Sequence, residues 1–305
     1  MNRIFQQTLK ESCSFEGKGL HTGRYARMTV CPAPAGYGIR FIRTDIGEDA
    51  CVEALAENVS CTARSTTISC NGVSVSTIEH VLSALTGMGI DNASILIDNA
   101  EVPILDGSAK FYVDAFKKAG VEIQDQPRKI LRIEKEIEVK DEKTGSYIRI
   151  TPSDVPEIDM TVDFGSKILG VQRITWNPDT DYSSEIGPCR TFVFFHEIEF
   201  LAANGLVKGG DLDNAIVIVE NPVSDAQVEA VCSALGFEKL AITESGYLNN
   251  IELHFPDECG RHKLLDLIGD IRLCGGWPGA KITAFKPGHT LNTNAAKAIR
   301  QALYL

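Results

Sequence analysis

The chain has 305 residues, enough for two domains that each bury a core, and its 44% hydrophobic and 23% charged residues exclude a disordered protein. A formal net charge of -11 argues against a nucleic-acid binder, which needs a basic surface to displace counterions. Nine cysteines, odd in number and without a Cys-x-x-Cys pair, argue against a disulfide framework and against a cysteine zinc site.

The N-terminus lacks an apolar signal region, and no apolar run reaches the roughly 18 residues of a membrane span, so a cytoplasmic protein is expected. From Gln7 to Asp45, short apolar segments separated by Gly17, Gly19, Gly23 and the Pro32–Gly36 stretch predict antiparallel strands. His21 lies among these glycines, where backbone can approach a ligand closely, but reads more readily as a turn histidine in a surface loop. Residues 64 to 78 alternate around Asn71-Gly72, a type I′ hairpin signal. A helix follows, carrying Val81, Leu82, Leu85 and Met88. Ser76 and Glu79 match a capping box at its start, which gives Glu79 a local role; His80 has none.

Asn92 to Ile97 predicts a strand and the turn-rich Glu101–Ser108 leads into a helix with Ala109, Tyr112, Val113 and Phe116 on one face, closed by Gly120. The charged run Gln124–Lys129 marks a boundary, giving an N-terminal domain of residues 1–126 and a C-terminal domain of 127–305. Strands are predicted at 130–139, 146–151, 157–164 and 170–176, a helix over His196–Ala203 ended by Asn204-Gly205, a strand over Ala215–Glu220, and a helix over 224–235 capped by Ser224 and ended by Gly236.

The segment Arg261–Asp270 carries the densest chemistry. At about 3.6 residues per turn, His262, Asp266 and Asp270 form one drifting polar stripe, while Leu264, Leu265, Leu267, Ile268 and Ile271 cover the rest. Such a helix is expected to be buried, and buried ionisable groups must be paired, neutralised or bound to metal. His-x3-Asp taken alone is more often a simple hydrogen-bonded pair than a metal pair. Residues 80–87 and 262–269 share His, two leucines and a final glycine at the same offsets, which suggests an internal duplication. The fold class expected is α+β: two similar domains, each a mainly antiparallel sheet with helices on one face, and a site between them.

If His80 joins His262 and Asp266, two imidazoles and a carboxylate leave a fourth position open for water, as at a catalytic zinc. Glu79 is then a general base or only a helix cap. His289 is a proton donor or only a loop histidine, and Asp270 orients that imidazole or is only a solvated helix end. Zn2+ and Fe2+ both suit the set.

Thr77-Ile-Glu-His80 with Leu-x-x-Leu-x-Gly-x-Gly-Ile-Asp-Asn92 after it, Glu101–Ala109, Arg190-Thr-Phe192, Gly205-Leu-x-x-Gly-Gly210, the Arg261–Asp270 helix and Gly288-His-x-Leu-Asn292, in that order, resemble the LpxC family. These are zinc-dependent UDP-3-O-acyl-N-acetylglucosamine deacetylases of lipid A synthesis. The resemblance implies a metal held by His80, His262 and Asp266, Glu79 as general base, and His289 as acid or electrostatic partner oriented by Asp270. It implies that Lys263 and the Thr191 hydroxyl bind or polarise the acetyl carbonyl, that Phe164 and Phe192 lie near the nucleotide, and that Lys286 lies near the diphosphate. Gly210 and the apolar run through Ala215–Ile218 correspond to the element forming the acyl passage, where a sheathed chain gains about 0.8 kcal/mol per CH2. The implied partner is an acylated UDP-sugar; a monomer is the default expectation. A related N-acyl-sugar amidohydrolase and a non-enzymatic nucleotide-sugar or lipid-binding protein are the alternatives. Glu197 stands where the family pattern has an Asp, the run Asn221–Gly246 is longer than that pattern, and some relatives carry a fused dehydratase domain.

Overall fold

The computed structural model describes residues 4–47, 49–203, 214–235 and 240–303. Gly210 and the expected helix ends at Gly205 and Gly236 lie outside the described residues.

The first half opens with β1 (Phe5–Leu9), β2 (Cys13–Lys18), β3 (Tyr25–Pro32), β4 (Ile39–Arg43) and β5 (Cys51–Glu53). A small sheet follows, of β6 (Val59–Cys61), β7 (Thr67–Cys70) and β8 (Val73–Ser76), before α1 (Glu79–Gly87), β9 (Ala93–Ile97), α2 (Lys110–Ala119) and β10 (Val121–Pro127). The β7–β8 turn has φ of 50° at Asn71 and 80° at Gly72, the left-handed pair that the hairpin signal requires. Helix α2 ends as expected on Gly120, at φ 74°.

The second half contains β11 (Ile130–Arg132), β12 (Ile137–Asp141), β13 (Ser146–Pro152), β14 (Glu157–Asp163), β15 (Val171–Trp176), α3 (Tyr182–Glu185), β16 (Phe192–Phe194) and α4 (Phe195–Ala203). It continues with β17 (Ile216–Ile218), α5 (Asp225–Leu235), α6 (Glu258–Ile271), β18 (Trp277–Phe285) and α7 (His289–Ala302).

The pairing order repeats. One sheet runs β2-β3-β9-β4-β5 and the other β12-β13-β18-β14-β15, each with its central pair parallel (β4 with β9, β14 with β18) and its other neighbours antiparallel. In both halves the strand inserted at the centre follows the helix that opens with or contains the shared histidine pattern. The duplication suggested by residues 80–87 and 262–269 is therefore present in the topology. Side chains from both halves, among them Val81, Leu82 and Leu85 of α1 and Leu264, Leu265 and Leu267 of α6, share one continuous core.

Two local expectations are corrected. Glu79 does not cap its helix: the Ser76 N–H donates to Ala100 O at 2.9 Å, and the Glu79 carboxylate turns inward to the Thr66 N–H. The expected strand 130–139 is two, since β11 pairs with the start of β18 and β12 lies at the far edge beside β13. The charged run Gln124–Lys129 is strand through Pro127, because β10 pairs with β1, and Arg128 is buried on Asp91.

A smaller core joins α4 and α5 through Phe195, Ile198, Val228, Val231 and Cys232. The capping box found in the structure is at α5, where Ser224 N–H donates to Gln227 Oε1 (2.9 Å) and Gln227 N–H to Ser224 Oγ (3.3 Å). The Asn221–Gly246 run thus supplies a helix that packs on α4. All nine cysteines are unpaired. Among the described residues no helix is long and apolar enough to cross a membrane.

Candidate metal centre

Helices α1 and α6 meet without a side chain between them at Gly269, where a Cβ would lie 2.1 Å from Glu79 O. This close approach brings His80 to the polar stripe of α6. The ligand atoms of His80, His262 and Asp266 all lie within 4.8 Å of one another, and all three residues are buried. Asp266 Oδ1 stands 3.7 Å from His80 Nε2 and 3.5 Å from His262 Nε2, and the rings meet edge to face.

The donors fit a divalent cation. Asp266 Oδ1 is buried and receives no hydrogen bond from the described residues, a costly state for a carboxylate oxygen unless a cation fills the space before it. Burial, and then the neighbouring His262, lowers the His80 pKa to about 3; burial also lowers that of His262. Both rings are therefore neutral and have a lone pair to give. Burial opposes the charge on Asp266, but Lys263 foremost, followed by the histidines, holds its pKa far below the ordinary range. Lys263 Nζ donates to Asp266 Oδ2 at 2.9 Å, which leaves Oδ1 free. The His262 Nδ1 faces Cys189 O at 3.1 Å, which fixes that nitrogen as the donor and turns Nε2 to the site.

Beside this set lies a second group of ionisable side chains. Glu79 is 2% exposed, and its Oε2 accepts the Thr66 N–H at 3.0 Å. Burial, reinforced by Asp270 and Asp266 and opposed by His289, raises its pKa to about 8. His289 begins α7, where the helix dipole disfavours a cation. Burial disfavours it too. Asp270 outweighs both: its Oδ2 sits 3.0 Å from His289 Nδ1, and with Asp266 and Glu79 it raises the imidazole pKa to about 9. Asp270 also receives Thr66 Oγ1 at 2.6 Å and Asn292 Nδ2 at 2.9 Å.

Of the residues expected beside the metal set, Phe192, Phe164 and Lys263 lie against one another. Phe192 packs edge-on to His262 at 6.4 Å between centroids and to Phe164 at 5.4 Å, and Lys263 Nζ lies 5.7 Å above the Phe192 ring. Thr191 is fixed through its backbone to Gly107 O and to the Ile216 N–H. Lys286 pairs with Asp163 at 3.0 Å, next to Phe164. Glu197 binds Arg64 at 3.0 Å.

Thr66 was not singled out by the sequence, although it touches Glu79, Asp270 and, at 3.4 Å, His289. No signal near it in the chain marks it; Ser65 and Thr66 stand out only by their burial in the fold, just before β7. His21 lies in a turn, as expected. Its Nε2 is buried without a partner among the described residues, and burial foremost lowers its pKa, opposed by Glu101 and aided by Arg64 and His289.

Two neutral imidazoles, an aspartate with a bare oxygen, and an adjoining carboxylate and imidazole are the composition of a mononuclear metal-hydrolase site. The sequence model of UDP-3-O-acyl N-acetylglycosamine deacetylase, LpxC, matches residues 6–230 and 236–301. The chain belongs to that family. It is 41% identical over 298 residues to the bifunctional enzyme LpxC/FabZ of Porphyromonas gingivalis, covering 98% of this chain and 64% of that protein. To the bifunctional LpxC/FabZ of Bacteroides thetaiotaomicron it is 42% identical over 300 residues, with 98% and 65% covered. To the UDP-3-O-acyl-N-acetylglucosamine deacetylase of Myxococcus xanthus it is 38% identical over 296 residues, with 96% and 86% covered. The chain spans less than two thirds of the two bifunctional relatives and most of the third.

Proposed function

We propose that the chain is a metal-dependent amidohydrolase that removes acetate from the glucosamine nitrogen of UDP-3-O-acyl-N-acetylglucosamine in lipid A biosynthesis. The observation that carries this reading is the bare Asp266 Oδ1 between two neutral imidazoles, with Glu79 and the His289–Asp270 pair alongside. His80, His262 and Asp266 would hold the ion, Zn2+ or Fe2+. The chemistry such an ion supplies when bound is Lewis acidity toward water and the amide carbonyl.

The protein's own groups divide the proton transfers. Glu79, ionised when a cation is adjacent, takes a proton from the attacking water at its carboxylate. His289, kept protonated by Asp270, gives a proton to the departing glucosamine nitrogen, which would otherwise leave as an amide anion. Lys263 and the Thr191 hydroxyl stabilise the acetyl oxygen as it becomes negative. Phe164 and Phe192 offer faces for the nucleotide, Lys286 a charge for its diphosphate, and the apolar run Ala215–Ile218 a path for the acyl chain. In this reading the halves 1–126 and 127–305 act as two domains flanking the site, in a cytoplasmic monomer.

The test is acetate release from the UDP-linked substrate by the purified protein. Release from simple N-acetyl sugars at equal rates would instead favour a broader amidohydrolase.

A further inference from the structure

The carbonyl that orients His262 belongs to Cys189, and the backbone around it is held at every neighbouring peptide. Glu258, in the first turn of α6 and one turn before His262, is 1% exposed. Its Oε1 accepts the Arg190 N–H at 3.0 Å and Arg190 Nε at 2.9 Å; its Oε2 accepts Arg190 Nη2 at 3.2 Å and the His254 N–H at 2.7 Å. His254 Nδ1 reaches Pro188 O at 3.0 Å, and Arg190 Nη2 also donates to Glu252 O. On the other side, the Thr191 N–H donates to Gly107 O at 2.8 Å. Pro188, Arg190 and Thr191 are thus tied down while Cys189 O stands 3.1 Å from His262 Nδ1.

A buried ion pair is weak evidence of a gain in stability, since desolvation offsets much of the attraction. Here the carboxylate grips a backbone amide as well as the guanidinium, and both it and the imidazole it indirectly serves project from α6.

We propose that Glu258 and Arg190 are positioning residues for the metal centre: they fix the Cys189 carbonyl so that His262 keeps its proton on Nδ1 and presents Nε2 to the ion. The inference rests on His262 being a metal ligand. Partners that orient a ligating histidine typically change metal affinity by about 10- to 100-fold when lost. Glu258→Gln keeps the size of the side chain but replaces an acceptor oxygen with an NH2 among four N–H donors, and leaves Arg190 without a counter-charge.

The experiment measures Zn2+ affinity of the full chain by competition with a chelator, for wild type, Glu258→Gln and Arg190→Lys, and records imidazole 1H–15N spectra of the metal-free proteins. The expected result is about 10- to 100-fold weaker Zn2+ binding in Glu258→Gln, a smaller loss in Arg190→Lys, and a His262 resonance that moves from the Nδ1–H form toward mixed tautomers. Arg190→Lys retains the opposite charge and decides the matter if Glu258→Gln does not fold. Folded variants with lower melting temperatures, but Zn2+ affinity within twofold of wild type and an unchanged His262 tautomer, would reduce the pair to a structural role and overturn the proposal. A wild-type protein that binds no Zn2+ would instead remove the metal reading itself.

Discussion

His289 Nδ1 stands 3.0 Å from Asp270 Oδ2, a carboxylate with no exposed surface. The pair keeps an imidazole charged at the start of a helix. With a pKa raised to about 9, His289 stays protonated through neutral pH and loses its proton above about 9. A bound dication beside Asp266 and Glu79 lowers that value, so an acid catalyst here gives a kcat/KM that falls on the alkaline side at or below pH 9. In Asp270→Asn the stabilising charge is gone and burial is unopposed, so this limb is expected to move down toward or below the ordinary imidazole value of about 6.5. A pH profile of the variant with its alkaline limb unmoved would remove His289 from the acid role.

Glu79 is expected to act in the reaction without holding the ion. Glu79→Gln should lower kcat by about 10²- to 10⁴-fold, the usual range for a general base, while Zn2+ content measured by atomic absorption stays at the wild-type level. Retained turnover in this variant would exclude it as the base.

Metal loading should release a proton from the same residue. At pH 7 a carboxyl with a pKa of about 8 is mostly protonated in the metal-free protein, whereas His80 and His262 are already neutral and Asp266 already ionised. A divalent ion beside Glu79 favours its charged form. Calorimetric titrations with Zn2+ in buffers of different ionisation enthalpy should report a release approaching one proton for wild type and close to none for Glu79→Gln.

Gly269 permits the contact between α1 and α6. A methyl group there would lie 2.1 Å from Glu79 O, a backbone atom that cannot swing aside. Gly269→Ala is expected to cost about 1–3 kcal/mol, as overpacking does, and to lower activity more than stability alone explains, because the strain falls on Glu79. Thermal unfolding with and without Zn2+ separates the two effects.

What the sequence disclosed depends on the range of each interaction. The α6 stripe, the Asn71-Gly72 hairpin and the Gly120 helix end are written in periodicity and local backbone preference, and all three are present. The Ser76–Glu79 spacing misled because a stretch of four residues cannot reveal that the Ser76 amide is taken by Ala100, or that Glu79 has the Thr66 N–H as its partner. Thr66 itself is bound to Asp270, 204 residues away, so nothing near it in the chain marks it. Strand β18 escaped notice for a similar reason. Its Trp-Pro-Gly start breaks the pattern of a strand, and its place at the centre of a sheet comes from β11, β13 and β14. The metal set was legible through the repeated histidine helices and the family motifs, but Asp266 Oδ1 lying bare between two neutral rings is visible only once those helices pack.

The most direct test of the hydrolase assignment follows acetate release from UDP-3-O-acyl-N-acetylglucosamine by protein stripped with a chelator and then given back stoichiometric Zn2+. The expected result is loss of turnover on stripping and its recovery on addition, with no recovery in His262→Ala. Undiminished turnover by fully metal-free protein would contradict it.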